Sequence, residues 1–313
     1  MSFHKAFLLA VACLGLLSCG LAEDKNVQEP VTSKEARGCD GDHLFLVEIR
    51  GKFGYINCAG NVVIAPQFDI GGEFHEGLAP VRVKDEWGFI DKTGKIVIAP
   101  RFRNVWEFSE GLAFAAETGS PNWGVIDKTG KFVIEPKFAN GIKFSEGLAY
   151  VDIHSGERYY INKKGETALV LNDDYFPGDN FYEGLAMVRK NDKLGFIDKK
   201  GEVVIVPQYN DAGSFSEGLA PVEINGKTIY IDKTGKQVIS QGCDDTFGFF
   251  EGLAVVKIDG KVGYMDKTGR IVIHPQFKSA SRFHGGLAGV TNFDDTRGYI
   301  NKLGQYMWGP RSD

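Results

Sequence analysis

The chain has 313 residues, of which 43% are hydrophobic and 25% are charged, a balance that excludes a largely disordered protein. The formal charge of −5, with no long basic run, excludes a basic footprint for a phosphate backbone, so no nucleic-acid partner is expected. Forty glycines, nearly twice the usual share of ~7%, accompany 23 phenylalanines, a combination that favours short strands joined by tight turns.

The first 18 residues have the pattern of an export signal. Lys5 precedes an apolar run, residues 6–17, that is too short for a spanning helix, which needs ~20 residues. The run ends in Leu16-Leu17-Ser18-Cys19-Gly20, which resembles the lipobox of bacterial lipoproteins. The resemblance implies cleavage before Cys19, lipidation of its thiol and acylation of its new amino group, which together give a stable membrane anchor. The alternative is an ordinary secretory signal with an incidental cysteine.

The lipoprotein resemblance also implies a cellular location. Residues 19–38 are polar and poor in apolar side chains, so we expect a lipidated, flexible tether. Gly20 stands where the inner-membrane retention signal of enteric bacteria has aspartate, which favours the outer membrane. The expected domains are therefore a signal peptide (1–18), a tether (19–38) and a folded domain (39–313) in the bacterial cell envelope, on its periplasmic or its surface face.

A segment of about 34 residues recurs through the folded domain. Glu76-Gly77-Leu78-Ala79 returns in steps of 34 to 37 residues and ends as Gly285-Gly286-Leu287-Ala288. A second string, residues 87–94 (WGFIDKTG), recurs with it in eight versions, which number the copies one to eight. The eight versions begin at Phe53, Trp87, Trp123, Arg158, Leu194, Thr228, Val262 and Arg297. This regularity predicts one repeat domain rather than several domains counted by length.

Copy two shows the elements that each copy should contain. Leu78 to Val83 alternates as a first strand, and Trp87 to Ile90 reads as a second strand. Asp91 to Gly94 is predicted to be a hairpin loop. Aspartate can accept from the backbone two residues on, and glycine can take a positive φ.

The third strand of copy two should follow this loop. Ile96 to Ile98 is apolar at every position, which favours a strand covered on both faces, and Pro100 is expected to end it. Between Phe102 and Phe108 there is room for a short fourth strand or an irregular crossing to the next copy.

The tryptophan-glycine pair in this pattern is similar to the WG repeat family, once called KWG repeats, of bacterial proteins. The resemblance covers about residues 43–309 and implies β-rich repeats in exported or surface proteins. The family carries no agreed catalytic activity, so no catalytic residues are transferred. Only Trp87 and Trp123 keep the tryptophan, Tyr159 and Ile229 replace the glycine, and Trp308 lies out of phase.

One copy has too few apolar side chains to fold alone, so neighbouring copies should pack against each other. The predicted packing residues are Leu78, Trp87, Leu112, Trp123, Leu148, Leu185, Leu219, Leu253 and Leu287. The sequence predicts an all-β domain, an eight-repeat array of three- to four-stranded units that is β-propeller-like. An open β-solenoid or superhelix is the alternative, because no strand exchange between the termini is visible.

The cysteines allow a disulfide in the folded domain. Cys39 and Cys243 each lie in a Gly-Cys-Asp string just before the first strand of a copy, which suggests that they pair in an oxidising compartment. Three unpaired cysteines, with Cys58 as the third, are the alternative. The absence of a Cys-X-X-Cys pair gives no support to a zinc site of that kind.

Repeated polar and aromatic positions could carry chemistry, but turns and packing explain them more simply. His75 and His284 stand where other copies have serine, so we expect solvent-facing histidines rather than a metal site. The aspartates aligned with Asp91 could form an acidic ring that binds calcium. The hairpin turn already explains these aspartates, and the lysine that usually follows them would repel a cation. One aromatic position could bind sugars or peptidoglycan, although core packing is simpler. This series is Tyr55, Phe89, Tyr160, Phe196, Tyr230, Tyr264 and Tyr299.

These patterns predict a non-catalytic envelope lipoprotein that acts as a binding or scaffold module. No cofactor, metal or catalytic residue is expected, and the partners are the membrane, through the anchor, and a protein or envelope polysaccharide. The irregular segment 168–177 of copy four, which lacks the usual proline, is where we expect a specific contact. The alternative is a hydrolase-type enzyme on a propeller-like scaffold, which would need polar groups converging on one site.

Overall fold

A computed structural model describes residues 42–171, 174–243 and 245–311 of the chain. The predicted signal peptide, the tether with Cys19, and Cys39 lie outside these residues. The described residues contain no helix long and apolar enough to span a membrane.

The described residues form 29 β-strands. Copies one to three contain β1 (Leu44–Ile49), β2 (Lys52–Asn57), β3 (Val62–Phe68), β4 (Ile70–Gly71), β5 (Leu78–Val83), β6 (Glu86–Asp91), β7 (Ile96–Val105), β8 (Leu112–Glu117), β9 (Trp123–Asp127) and β10 (Phe132–Phe138). Copies four and five contain β11 (Asn140–Gly141), β12 (Leu148–Asp152), β13 (Arg158–Asn162), β14 (Thr167–Val170), β15 (Phe176–Tyr182), β16 (Leu185–Lys190), β17 (Lys193–Asp198) and β18 (Val203–Tyr209). Copies six to eight contain β19 (Leu219–Ile224), β20 (Lys227–Asp232), β21 (Gln237–Cys243), β22 (Asp245–Thr246), β23 (Leu253–Ile258), β24 (Lys261–Asp266), β25 (Ile271–Phe277), β26 (Ser279–Ala280), β27 (Leu287–Thr291), β28 (Arg297–Asn301) and β29 (Tyr306–Arg311).

Each copy is an antiparallel hairpin followed by a third strand that leads into the next copy. In copy two, β5 pairs with β6, and β6 pairs with β7. The end of β7 then pairs with β8 of copy three, with Asn104 opposite Ala116. The two-residue strands β4, β11, β22 and β26 make the same link elsewhere. The short fourth strand that the sequence allowed is therefore present, and it joins successive copies.

The third strand does not end at its proline, contrary to the prediction. β7 runs through Pro100, and its ladder pairs Ile98 with Phe89 and Phe102 with Trp87. The residues between these pairs bulge out of the ladder, so the missing N–H of proline breaks no pair. The expected cover on both faces is also wrong, because the Ile96 and Val97 side chains are exposed and only that of Ile98 is buried.

The glycine after the tryptophan position makes room for this bulge. A Cβ on Gly88 would lie 2.4 Å from the carbonyl oxygen of Ile98 and 2.7 Å from the nitrogen of Pro100. Six copies have both the glycine and the proline. Copies four and six, with Tyr159 and Ile229 in place of glycine, have neither. Glycine and proline therefore occur together because the backbone of the bulge passes directly over the glycine.

The core lies between successive copies. The ring of Tyr55 in copy one lies 4.8 Å from that of Phe74 in copy two, and the Tyr55 hydroxyl donates to the Gly72 carbonyl at 2.8 Å. Phe89 and Phe108 pack in the same way at 4.8 Å. Six of the seven residues of the repeated aromatic series are fully buried. These six residues therefore pack neighbouring copies together and do not present a ligand surface, whereas Tyr299 is only partly buried.

The predicted packing residues lie in the same interfaces. Leu78, Leu185, Leu219, Leu253, Leu287 and Trp123 are buried. Trp87, Leu112 and Leu148 are partly buried and pack against the core clusters.

Copy eight packs against copy one and closes the array into a ring, a contact that we call the seam. The Tyr299 hydroxyl donates to the Leu46 carbonyl at 2.7 Å, and Arg297 pairs with Glu48 at 3.3 Å. The Phe45 ring lies 5.3 Å from that of Tyr299. The fold is a β-propeller-like ring of eight copies, and these contacts rule out the open solenoid.

The seam is packed by a different residue from the other interfaces. Elsewhere a phenylalanine such as Phe74 contacts the aromatic ring of the preceding copy, but the aligned residue of copy one is Asp40. Phe45 stands where copy two has Ala79, and its larger side chain supplies the ring that packs on Tyr299. At the seam, the phenylalanine at the Ala79 position thus takes the packing role that the phenylalanine at the Phe74 position has in the other interfaces.

The state of the cysteines differs from the suggested Cys39–Cys243 pairing. Cys58 is held in a disulfide, and Cys243 is a buried thiol. Cys243 occupies the β21 position that is Phe102 in β7, where it packs inside a hydrophobic cluster. The suggested Cys39–Cys243 bond is therefore wrong, because the buried Cys243 takes part in the core as a small apolar side chain.

Candidate functional site

The repeated Glu-Gly pair forms a tight hairpin turn. Glu76 and Gly77 have φ values of 52° and 86°, and His75 and Leu78 exchange both backbone hydrogen bonds across them. Positive φ at both central residues is typical of a type I′ turn, which usually takes asparagine and glycine. All six turn glutamates share this conformation, with φ between 52° and 55°. A left-handed conformation costs a non-glycine residue about 1 kcal/mol or more, so these glutamates must contribute elsewhere.

Each turn glutamate binds the next copy. The Glu217 carboxylate of copy six accepts the N–H of Gly252 at 3.1 Å and pairs with Lys267 at 2.8 Å. Lys267 also donates to the Glu217 carbonyl at 3.1 Å. Lys267 belongs to the Asp-Lys-Thr-Gly loop of copy seven, so this repeated lysine holds two copies together. The pairs are Glu76–Lys128, Glu110–Lys163, Glu146–Lys199, Glu183–Lys233, Glu217–Lys267 and Glu251–Lys302.

We expect Glu217→Gln to lower the free energy of unfolding by about 1 kcal/mol at pH 7, as for a partly exposed ion pair with one further hydrogen bond. Burial raises the pKa of Glu217, but hydrogen bonds from Lys267 and Gly252, with the Lys267 charge, outweigh it and hold that pKa below its usual 4.5. The contribution is therefore present above pH 4.5 and lost as the pH falls through the lower folded pKa.

Urea denaturation at several pH values measures this dependence. The difference between wild type and Glu217→Gln should shrink toward zero in acid, while the exposed control Glu202→Gln should show little effect throughout. A difference that persists unchanged in acid would contradict the ionic link.

The link changes at the seam, where glutamate and lysine are both replaced. Gly285 stands at the glutamate position of copy eight, and Cys58 stands at the lysine position of copy one. A Cβ on Gly285 would lie 2.4 Å from the His43 ring, so only glycine fits there. The His43 ring packs edge-on against that of His284 at 4.2 Å.

The loops that precede the Glu-Gly turns meet in the middle of the ring; we call them the central loops. His75 of copy two and His284 of copy eight stack at 6.3 Å, although five copies separate them in sequence and copy one lies between them around the ring. The charges of Arg282 in copy eight and Glu107 in copy three both act on the Tyr182 hydroxyl of copy five. Side chains from such distant copies can approach each other only around a common centre.

Within each central loop one phenylalanine is buried, and the residue before it, the central position, is of six different types in seven copies. The central positions of copies two to eight are Glu73, Glu107, Lys143, Asn180, Ser214, Gly248 and Arg282. Lys143 pairs with Glu107 at 3.1 Å, while Asn180 is buried and bonds to the backbone of Tyr150 and Lys143. The repeated residues thus build the ring, and the varied ones cluster at its centre.

Two cavities open at this centre. The larger, about 840 Å³, runs along β1 at the seam, and we call it the seam cavity. The residues aligned with the linking strand of copy one, 36 and 37, lie outside the described residues. The smaller, about 600 Å³, is lined by copies four to eight, and we call it the central cavity. Arg282 borders both cavities.

Burial shifts the titration of the groups around these cavities. Burial lowers the pKa of both His75 and His284, so both are neutral near pH 7. Burial, with the Asp179 and Glu107 charges, raises the pKa of Tyr182 to about 12, so this hydroxyl remains a hydrogen-bond donor. Burial among neighbouring groups raises the pKa of Glu73, and the Arg282 charge opposes this rise.

The polar positions singled out in the sequence have structural roles. Asp91 accepts the N–H groups of Thr93 at 2.9 Å and Lys95 at 3.1 Å, which confirms the predicted hairpin loop. The solvent-facing interpretation of the serine and histidine position is wrong for the serines, since Ser109 donates to the Phe144 carbonyl of the next copy at 2.7 Å. Among the described residues, no group of three or more potential ligands could hold a metal ion.

The irregular segment of copy four lies partly outside the described residues. Val170 and Phe176, on either side of the part that is not described, are exposed. Asp174 pairs with Lys190 at 2.9 Å, and Lys190 lies over the Tyr175 ring. The specific contact predicted for this segment stays a prediction.

The central loops were not predicted from the sequence, because their convergence depends on ring closure. One signal was available. The residue before a repeated phenylalanine is acidic, basic or uncharged in different copies, whereas that phenylalanine repeats.

The model of the WG containing repeat matches seven stretches of the chain, at residues 53–87, 87–119, 123–154, 178–193, 195–227, 230–261 and 263–292. The chain belongs to this family. Six of the seven matches begin at or near a second hairpin strand, and the shorter match at residues 178–193 begins in β15. The first match begins at the second strand of copy one and the last ends in copy eight before its second strand, which agrees with eight copies in all. A comparison with curated proteins finds no match.

Solved structures give weak likenesses to the WG repeat chain. BamB from Moraxella catarrhalis is 11% identical, covers 82% of this chain and 92% of its own, and has a TM-score of 0.46. Hsv2 of Kluyveromyces marxianus is 9% identical, with 66% and 74% covered and a TM-score of 0.48. The extracellular domain of the hybrid two component system BT4673 from B. thetaiotaomicron is 12% identical, with 75% and 40% covered and a TM-score of 0.45. Because every TM-score is below 0.5, the ring rests on the chain's own contacts.

Proposed function

We propose that this WG repeat protein is a non-catalytic binding module of a bacterial cell envelope, held at the membrane by a lipid on Cys19. The lipobox-like residues 16–20 and the polar tether support the anchor. The ring of repeats supports a rigid scaffold, and the partner binds at the central loops.

The varied residues at the centre carry this proposal. Interfaces between copies repeat the same aromatic pair and the same glutamate–lysine link, which serve stability. The central positions share no common residue, and five of the seven line cavities of a size that suits ligands. Trp106 and Phe247, at equivalent positions of two central loops, have exposed aromatic rings, and Phe247 lines the central cavity. Exposed aromatic side chains beside a cavity are typical of binding surfaces.

Site-specific photocrosslinking tests where the partner binds. A photoreactive phenylalanine analogue placed at Phe247, whose side chain is 57% exposed, should capture an envelope component in the native host. The matched control is Phe293, which is 58% exposed and does not line either cavity. Capture at Phe247 but not at Phe293 supports the proposal. Equal capture at both, or capture at Phe293 alone, would show that the partner does not bind at the centre.

The anchor has its own prediction. Cys19→Ser removes the thiol that would carry the lipid, so the full-length protein should leave the membrane fraction and lose labelling by a palmitate analogue. Thermal unfolding of the repeats should stay unchanged, because residues 20–38 separate Cys19 from the ring. A variant that is still cleaved and still membrane-bound would mean that an ordinary signal precedes a ring that binds the envelope directly.

A further inference from the structure

Arg282 differs from the other charged residues at the centre. It is exposed, and its guanidinium lies 4.5 Å above the Phe250 ring. Lys143, the other cation at a central position, is already paired with Glu107, whereas Arg282 forms no ion pair within the part of the chain that the structure describes. Stacking on Phe250 holds the planar guanidinium in place and leaves its N–H fork open to a carboxylate.

The walls of the central cavity beside Arg282 are aromatic and polar. Tyr182, Phe247 and Phe250 present ring surfaces to it, and the Phe247 ring is largely exposed. A cavity of about 600 Å³ lies within the usual range for small ligands and would hold a short oligosaccharide. Flat, partly hydrated rings suit ligands that have one apolar face and many polar groups.

The carboxylates of the cavity narrow the ligand class. Asp211 and Glu223 also line it, and Asp179 accepts the Ser214 hydroxyl at 2.5 Å. Such acceptors bind hydroxyl donors and repel a second negative charge. The cavity therefore favours a ligand with many hydroxyls and one carboxylate placed at Arg282. An acidic peptide, with a charge on every residue and few hydroxyls, fits it less well.

We propose that the central cavity binds an acidic saccharide, with the sugar carboxylate paired to Arg282 and a sugar ring packed on Phe247 or Tyr182. This inference rests on the proposed function and names the ligand class of the same site.

Calorimetric titration of the full-length protein in detergent tests the proposal with three probes. Galacturonosyl-galactose carries one carboxylate, galactobiose is its neutral counterpart, and triglutamate is an acidic peptide. We expect galacturonosyl-galactose to bind at least tenfold more tightly than galactobiose, because its carboxylate forms a charge-assisted pair with Arg282. Arg282→Ala should abolish this preference. Arg282→Lys should restore only part of it, because lysine lacks the fork. Arg103→Ala, which removes an exposed arginine away from both cavities, should keep the preference.

The outcomes separate this inference from the proposed function. Equal binding of galacturonosyl-galactose and galactobiose, or a preference that survives Arg282→Ala, would overturn the acidic saccharide. Binding of triglutamate as tight as that of galacturonosyl-galactose, with the same dependence on Arg282, would replace it with a peptide. If none of the three probes binds while the Phe247 crosslink still forms, this inference fails and the binding module stands. If the Phe247 crosslink also fails to form, both the acidic-saccharide ligand and the binding of a partner at the central loops are contradicted.

Discussion

Gly88→Ala is expected to lower the free energy of unfolding by about 3 kcal/mol, because the new Cβ would meet backbone atoms that cannot move aside. The Ile98 carbonyl oxygen would lie 2.4 Å away, and the Pro100 nitrogen 2.7 Å away. Relief would require the bulge of β7 to shift, and this bulge leads into the link with copy three. Urea denaturation of the full-length protein measures the change.

Gly77→Ala is the matched control for Gly88→Ala. Gly77 has a φ of 86°, but no atom lies within 4 Å of its Cβ position. Its substitution should cost about 1–2 kcal/mol from backbone strain alone. If Gly88→Ala costs no more than Gly77→Ala, close backbone approach is not the reason for the glycine of the WG pair.

Phe45→Ala is expected to cost about 3–5 kcal/mol and to open the seam, because it empties the contact that closes the ring. Phe45 is 3% exposed and packs with Leu287 and Tyr299 of copy eight. The loss should appear first as faster amide hydrogen exchange in copies one and eight, since their contact depends on this ring.

Phe293→Ala is the matched control for the seam. Phe293 lies in the same copy as Tyr299 but is 58% exposed, so its loss should change stability by about 0.5 kcal/mol or less. If Phe45→Ala were as mild as Phe293→Ala, or if exchange rose evenly through all copies, the seam would not hold the ring closed.

The features set by local chemistry could be predicted from the sequence. The first strand of copy two was expected from Leu78 to Val83 and has those bounds, because its ends are fixed by the Glu-Gly turn and a polar pair. The Asp91 loop was also expected, since one aspartate side chain organises it. The third strand was misjudged at Pro100, because the rule that proline ends a strand neglects a bulge over a facing glycine.

Closure and the central site depend on contacts between distant copies, which periodicity alone does not reveal. Signs of closure were nevertheless present at the two ends of the chain. Gly285 and Cys58 replace both the glutamate and the lysine that link six other pairs of copies, and Phe45 replaces an alanine. Paired exceptions of this kind mark two copies that face each other. The central positions could be located only after the ring was known.

A spin-label distance between residues 48 and 297 tests the closed ring most directly. Glu48 and Arg297 are joined by an ion pair of 3.3 Å across the seam, and their replacement by labelled cysteines costs little because the pair is largely exposed. The closed ring predicts that the two labels lie within contact range. An open array would separate copies one and eight by about 70 Å, from seven steps of ~10 Å between stacked sheets. A distance of that order would contradict the ring and the central site that depends on it.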